Sequence, residues 1–132
     1  HLAYGVLQAL LKSGVAGMAA TVPDLLDELR PGREDEAERL RVLKTVPLLV
    51  LDDLGAERHT EWVTERLYVV INARYADRLP TVITSNLRLQ ELESIPGWQR
   101  ITDRILECAE IVALSGESYR LERAKERVKG RG

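Results

Sequence analysis

A chain of 132 residues with 45% hydrophobic side chains is long enough for one domain with a real core, which excludes a disordered tail. Its 19 basic and 21 acidic residues leave a net charge of −2, so overall charge carries no nucleic-acid signature. The lone Cys108 excludes an internal disulfide, and no Cys/His group has zinc-site spacing.

In chain order, Leu2 to Ser13 carries Leu2, Val6, Leu7, Leu10 and Leu11 on one helical face, and Gly14 is suited to end that helix. The pattern is already under way at His1, with no initiating Met, which predicts a piece of a longer protein. Ala16 to Val22 suits a short strand. Pro23 opens the next helix, whose Leu25, Leu26 and Leu29 form an apolar side before Pro31 and Gly32 end it. Arg33 to Lys44 is charged and predicts an exposed helix. Leu48 to Leu51 is an uninterrupted apolar run, the pattern of a strand covered on both faces, and it ends in Asp52 and Asp53.

Beyond a loop at Ala56 to His59, Thr60 caps a long helix reaching about Arg78, with Val63, Leu67, Val70 and Ile71 as its buried stripe. Pro80 leads into a strand over Thr81 to Thr84, followed by Ser85 and Asn86. A short helix is expected over Leu89 to Glu93, and another over Gly97 to Glu107 with Trp98, Ile101, Ile105 and Cys108 on one side. Glu110 to Leu114 is the last predicted strand. Four strands alternating with helices predict an α/β fold with a parallel, doubly wound sheet. The lone Cys108 gives the expectation of a reducing, cytoplasmic setting; no apolar run approaches the roughly 20 residues of a membrane span, and nothing at the start resembles a signal peptide.

Ligands of parallel sheets bind at the carboxyl ends of strands. An acidic pair placed there can hold a divalent cation and orient an attacking water beside a phosphate, the logic of a Walker B motif. Strand alternation sends Asp52 and Asp53 to opposite sides, giving Asp52 the metal and Asp53 the water. The plain alternative is a turn cap, where Asp is common. Asn86 ends the next predicted strand and would sit beside the carboxylates, within reach of a γ-phosphate or the attacking water. Arg100 and Arg104 share a helix face and could stabilise charge in phosphoryl transfer from a subunit edge. Arg120 could approach phosphates from the other side. It lies in a run from Ser118 to Gly132 with six basic residues against two acids, +4, leaving −6 elsewhere. No glycine-rich loop of the form GxxxxGK[ST] occurs in the sequence.

Taken together, these residues resemble the AAA+ ATPase core of the DnaC/DnaI helicase loaders and the related IstB transposition ATPases. The resemblance rests on Leu51 to Gly55 (Leu Asp Asp Leu Gly), Arg74 and Tyr75, Pro80 and Thr81, Thr84 to Asn86, Asp103 to Leu106, and Gly116 to Arg120. His1, Leu2 and Ala3 match the three residues that come directly after the family's phosphate loop, so the chain is expected to start just after the Walker A motif. The resemblance implies a parallel-sheet P-loop NTPase (AAA+) core over residues 1–117, truncated at its N-terminal side, and a basic tail or helix over 118–132. It makes Asp52 and Asp53 Walker B, Asn86 sensor I, Arg104 the arginine finger with Arg100 assisting, and Arg120 a sensor II-like group.

The implied cofactors are ATP and Mg2+, the latter at Asp52. The implied activity is that of an ATP-dependent helicase loader in DNA replication, with the replicative helicase, single-stranded DNA and further copies of itself as partners and no membrane. The fragment alone is expected to be inactive. The family's DNA-contacting helix would fall at Pro23 to Arg30, but Asp24, Asp27 and Glu28 against Arg30 weaken a DNA role there. An IstB-like transposition helper keeps the chemistry and changes the partner. A non-hydrolysing interaction module stays open, and a phosphoacceptor receiver domain ranks low: it needs a strand after Asp53 that ends in Asp, where Asn86 stands, and a Lys after the last strand, where Ser115 to Ser118 contains none.

Overall fold

The computed structural model describes residues 5, 8, 9 and 11–109. The predicted strand Glu110 to Leu114, the basic tail and Arg120 lie outside them, as does most of the predicted first helix. The described end of that helix is as expected, with Gly14 in the left-handed region at φ 86° and its N–H on the Leu11 carbonyl at 3.0 Å.

The apolar run at the middle of the chain forms the central strand of a parallel sheet. Strands β1 (Gly17–Thr21), β2 (Leu48–Asp52) and β3 (Thr81–Ile83) lie in the order β1-β2-β3. The register sets Gly17 opposite Leu48 and Thr21 opposite Asp52, and Leu51 opposite Ile83. Leu49, Val50 and Leu51 are fully buried. Being covered on both faces is what an unbroken apolar run, as opposed to an alternating one, encodes. Each such side chain contributes roughly 1.5–3 kcal/mol of transfer free energy.

Helices fill the connections. Helix α1 (Val22–Glu28) follows β1 without a loop, with the Thr21 hydroxyl accepting from the Asp24 N–H at 3.3 Å and Pro23 in its first turn, where a missing N–H costs nothing. Its acids are engaged at the surface: Asp27 pairs with Arg30 and Arg33, and Glu28 with Arg39. Helix α2 (Glu36–Thr45) starts three residues later than its charge pattern predicts, because residues 33–35 are spent on the turn after Gly32, at φ 95°.

Helix α3 (Glu61–Ala76) begins at the predicted Thr60 cap, whose hydroxyl accepts from the Val63 N–H at 3.2 Å. Its buried stripe is Val63, Thr64, Leu67, Val70, Ile71 and, unexpectedly, Arg74. Helix α4 (Leu89–Glu93) falls where predicted. Helix α5 (Gln99–Cys108) lies along α3, with Trp98 and Ile101 completely buried. Cys108, placed on the same side by periodicity, does not continue this burial. Cys108 is exposed because it lines the cleft beside β3, while the same last turn stays tied to α3 through Glu107 and Tyr75.

Arg74 explains how the lower, amino-terminal edge of the sheet is closed. It is 2% exposed, yet each of its three guanidinium nitrogens donates. Nη1 donates to the Leu43 and Val46 carbonyls (3.1 and 2.7 Å), Nη2 to the Pro80 carbonyl (2.8 Å) and Nε to the Thr81 hydroxyl (2.8 Å). Val46 and Pro80 stand just before β2 and β3, so one side chain satisfies backbone acceptors at the start of both strands. Burial pushes its pKa down, but a guanidinium stays cationic in proteins.

Candidate functional site

The opposite edge of the same two strands carries the acids. Asp52 is the last residue of β2 and half-buried, and its carboxylate accepts from the Thr84 hydroxyl just beyond β3. The oxygen of that hydroxyl accepts in turn from the Asp53 N–H at 3.1 Å. Asn86 donates its side-chain amide to the Asp53 carboxylate at 3.3 Å. The structure thus brings Asp52, Asp53 and Asn86 together, with Thr84 as the link.

The divergence of the two aspartates has a different origin from the one strand alternation predicts. Asp53 has left the strand and sits at φ 66°, so a left-handed turn aims its side chain. Asp tolerates this region better than most residues because its short side chain can bond locally. The turn is then tied to the exit of β3: the Leu54 N–H donates to the Thr84 carbonyl at 2.8 Å, and the Ser85 hydroxyl donates to the Leu54 carbonyl at 2.5 Å. Gly55 comes next at φ 94°, and a first side-chain carbon there would come within 2.8 Å of Leu87 and 3.1 Å of Leu92. The left-handed conformation is what favours glycine, since the Leu87 and Leu92 atoms it would meet are side-chain methyls that can shift.

Sequence reasoning passed over two side chains of the loop after this turn. The Glu57 carboxylate accepts from the Gly55 N–H at 3.1 Å, and its other oxygen is buried without a partner. Burial pushes its pKa up, against the backbone N–H groups of Glu57 and Gly55 and the nearby His59, which pull it down. His59 places Nε2 3.1 Å from the Gly55 carbonyl oxygen and its ring edge-on to Trp98, with centroids 5.5 Å apart. The one available signal was their spacing of two residues on a loop directly after the acids.

Arg100 and Arg104 are not brought to the acids within this chain. Arg100 stacks over Tyr68 at 4.2 Å and reaches Glu65 at 3.5 Å. Arg104 lies over Tyr75 at 5.0 Å, donates to Asn72 at 3.0 Å and pairs with Glu107 at 3.3 Å. Tyr75 also donates to Glu107 at 2.5 Å, and that carboxylate pushes the phenol pKa up. Asn72 and Tyr75 belong to the last turns of α3, which lead toward the start of β3, so Arg104 lies toward the edge away from Asp52. Arg120, the remaining candidate, is outside the described residues.

Two oxygen-donor carboxylates held by hydroxyl and amide groups suit a hard cation that keeps most of its ligands elsewhere. Among the described residues no cluster of three or more His, Cys, Asp or Glu side chains could cage a metal alone. Mg2+ is usually held by one or two carboxylates together with substrate phosphates, which such an incomplete set fits.

The family model described as IstB-like ATP binding protein matches residues 1–127. This chain belongs to that family. Among its relatives, the replicative helicase loader DnaI of Bacillus subtilis is 33% identical over 129 residues, covering 87% of this chain and 42% of that protein. The putative ATP-binding protein of insertion sequence IS5376 from Geobacillus stearothermophilus is 30% identical, covering 92% of this chain and 50% of that one. A crystal structure of the DnaC helicase loader superposes with a TM-score of 0.69 at 31% identity, covering 83% of this chain and 68% of the solved one. The chain therefore spans half or less of the length of these two curated relatives. Its fold is the α/β, parallel-sheet P-loop AAA+ type expected from the sequence. An ATP-binding, DnaC/IstB-type ATPase family is likewise what the resemblance implied. No helix among the described residues is long and apolar enough to cross a membrane.

Proposed function

We propose that this chain is the catalytic part of an ATP-dependent helicase loader of the DnaC/DnaI kind, acting with a replicative helicase and single-stranded DNA. The observation that carries the chemistry is the hydrogen-bonded set Asp52, Thr84, Asp53 and Asn86 at the carboxyl ends of two adjacent parallel strands. In this reading Asp52 holds Mg2+ together with the ATP phosphates, which supplies charge neutralisation at the transferring phosphoryl group. Asp53 accepts a proton from, or orients, the attacking water. Asn86 keeps the Asp53 carboxylate in place and contacts the γ-phosphate side.

Arg104 serves the nucleotide of a neighbouring copy. Its placement away from the acids of its own chain, with its guanidinium held by Asn72, Tyr75 and Glu107, supports a role across a subunit contact. Arg100 assists it, and Arg120 is assigned to the phosphates from the far side. The basic run over 118–132 is assigned to a tail beyond the ATPase core.

Because the phosphate loop motif is absent from this sequence, the test uses the full-length protein. Asp52→Asn is expected to abolish Mg2+-dependent hydrolysis, at least about a hundredfold, in a phosphate-release assay. Failure of the unsubstituted protein to bind ATP would sink the reading. Arg104→Ala is expected to lower turnover about a hundredfold while sparing ATP binding, and mixing it with Asp52→Asn protein should restore part of the activity. Absence of such complementation removes the finger role.

The match to an insertion-sequence ATP-binding protein favours a second partner reading, a transposition helper with the same ATP chemistry. Capture of a replicative helicase as against a transposase by the full-length protein separates the two.

A further inference from the structure

The loop after the acidic turn is held by an arrangement that the ATP chemistry does not require in itself. Gly55 is gripped at both of its peptide groups: its N–H by the Glu57 carboxylate at 3.1 Å, its carbonyl by the His59 ring at 3.1 Å. A residue at φ 94° two positions after Asp53 is where the turn would most easily open. Pinning both groups closes off that freedom.

The grip continues into the core. The His59 ring meets Trp98 edge-on, and Trp98, completely buried, donates Nε1 to Thr64 at 3.1 Å. Thr64 in turn donates to the Thr60 carbonyl at 3.0 Å. Trp98 immediately precedes α5, the helix that bears Arg100 and Arg104. A continuous set of contacts therefore runs from the acidic turn to the arginine-bearing helix.

We propose that Glu57 and His59 are positioning residues that clamp Gly55 from both sides, so that Asp53 keeps its place against Asn86 and shifts only together with Trp98 and α5. The proposal rests on the ATP reading above for its kinetic consequence. The partnerless, buried Glu57 oxygen adds to the clamp's asymmetry: one oxygen is committed to Gly55, and the other has only the packed interior of the loop around it. His59 is exposed, so replacing it removes the bridge without opening a cavity.

In the full-length protein, binding of a fluorescent ATP analogue and steady-state phosphate release separate positioning from binding. His59→Ala is expected to lower kcat about tenfold and leave the Kd within about twofold, since a small misplacement of a reacting group costs rate more than affinity. Glu57→Ala is expected to act the same way, and Glu57→Gln to recover most of the loss, because its amide oxygen still accepts from the Gly55 N–H. Unchanged kcat in both alanine variants overturns the proposal. So does a Glu57→Gln as slow as Glu57→Ala, which would make the carboxylate itself a chemical group, and so does a parallel loss of ATP binding. If the unsubstituted protein binds no ATP, the nucleotide reading fails by itself, and the clamp is then read from hydrogen exchange at the Leu54 and Gly55 amides. His59→Ala should speed that exchange about tenfold, and unaltered protection overturns the clamp.

Discussion

At the amino ends of β2 and β3 a guanidinium is buried and spends its donors on backbone carbonyls, whereas at their carboxyl ends two carboxylates and an amide are partly exposed and keep acceptor capacity in reserve. The same two strands thus have one edge closed by a well-bonded cation and one edge whose carboxylates retain free acceptor sites. Such bonding is what makes a buried charge tolerable, because an unpaired one costs several kcal/mol. Reserve capacity is what a phosphate and metal site needs, and it contributes little to folding. The difference predicts that substitutions at the lower edge act on stability and those at the upper edge on turnover.

The largest expected effect breaks the lower edge. Arg74→Leu removes the side-chain donor from the Leu43 and Val46 carbonyls, while the Pro80 carbonyl keeps only the Leu49 N–H, and should cost about 3–5 kcal/mol, measured by urea unfolding. Arg74→Lys should not rescue it, since a single ammonium cannot span the positions a planar fork reaches. At the upper edge Asn86→Ala is expected to lower kcat of the full-length protein about a hundredfold, with stability from urea unfolding within the scatter of surface substitutions, about 0.5 kcal/mol. A large stability loss from Asn86→Ala would erase the contrast.

The smallest effect sharpens it. The folded-state pKa of Glu57 is raised by burial, so the folded protein holds that proton more tightly than the unfolded chain does. Stability from this group is therefore present at low pH and lost as pH rises from the ordinary carboxylate range through the raised folded pKa. Glu57→Gln should melt slightly higher than the unsubstituted protein at neutral pH, and the gap should close on acidification. A gap that widens instead would mean that the ionised carboxylate is the stabilising form.

Much of the scaffold was legible because its signals are local. The unbroken run Leu48 to Leu51 announces a strand covered on both faces, Thr60 announces the start of α3, and both are realised. Asp52, Asp53 and Asn86 were legible as a group because parallel strands deliver their carboxyl ends to one edge. Arg74 was not, although it continues the stripe of Leu67, Val70 and Ile71 at helical spacing. Composition treats Arg as a surface residue, and only the three-dimensional neighbourhood of orphan carbonyls reverses that expectation. Asp53 was assigned its direction by strand alternation, but a left-handed turn set it. Cys108 was placed on one helix side with Ile105 by periodicity, which carries no information about how far along that side burial extends. Glu57 and His59 were hidden because their partner is a backbone peptide, and loop sequence does not reveal which peptide a side chain will reach.

The absence of a side chain at Gly55 has a consequence for chimeras. Leu87 and Leu92 close over the glycine from the segment after β3, while Ser85 reaches back to the Leu54 carbonyl. The two segments are complementary halves of one mould. A chimera that imports both segments from one relative keeps this contact between partners of one origin, whereas importing one alone puts the Leu87 and Leu92 packing to the test.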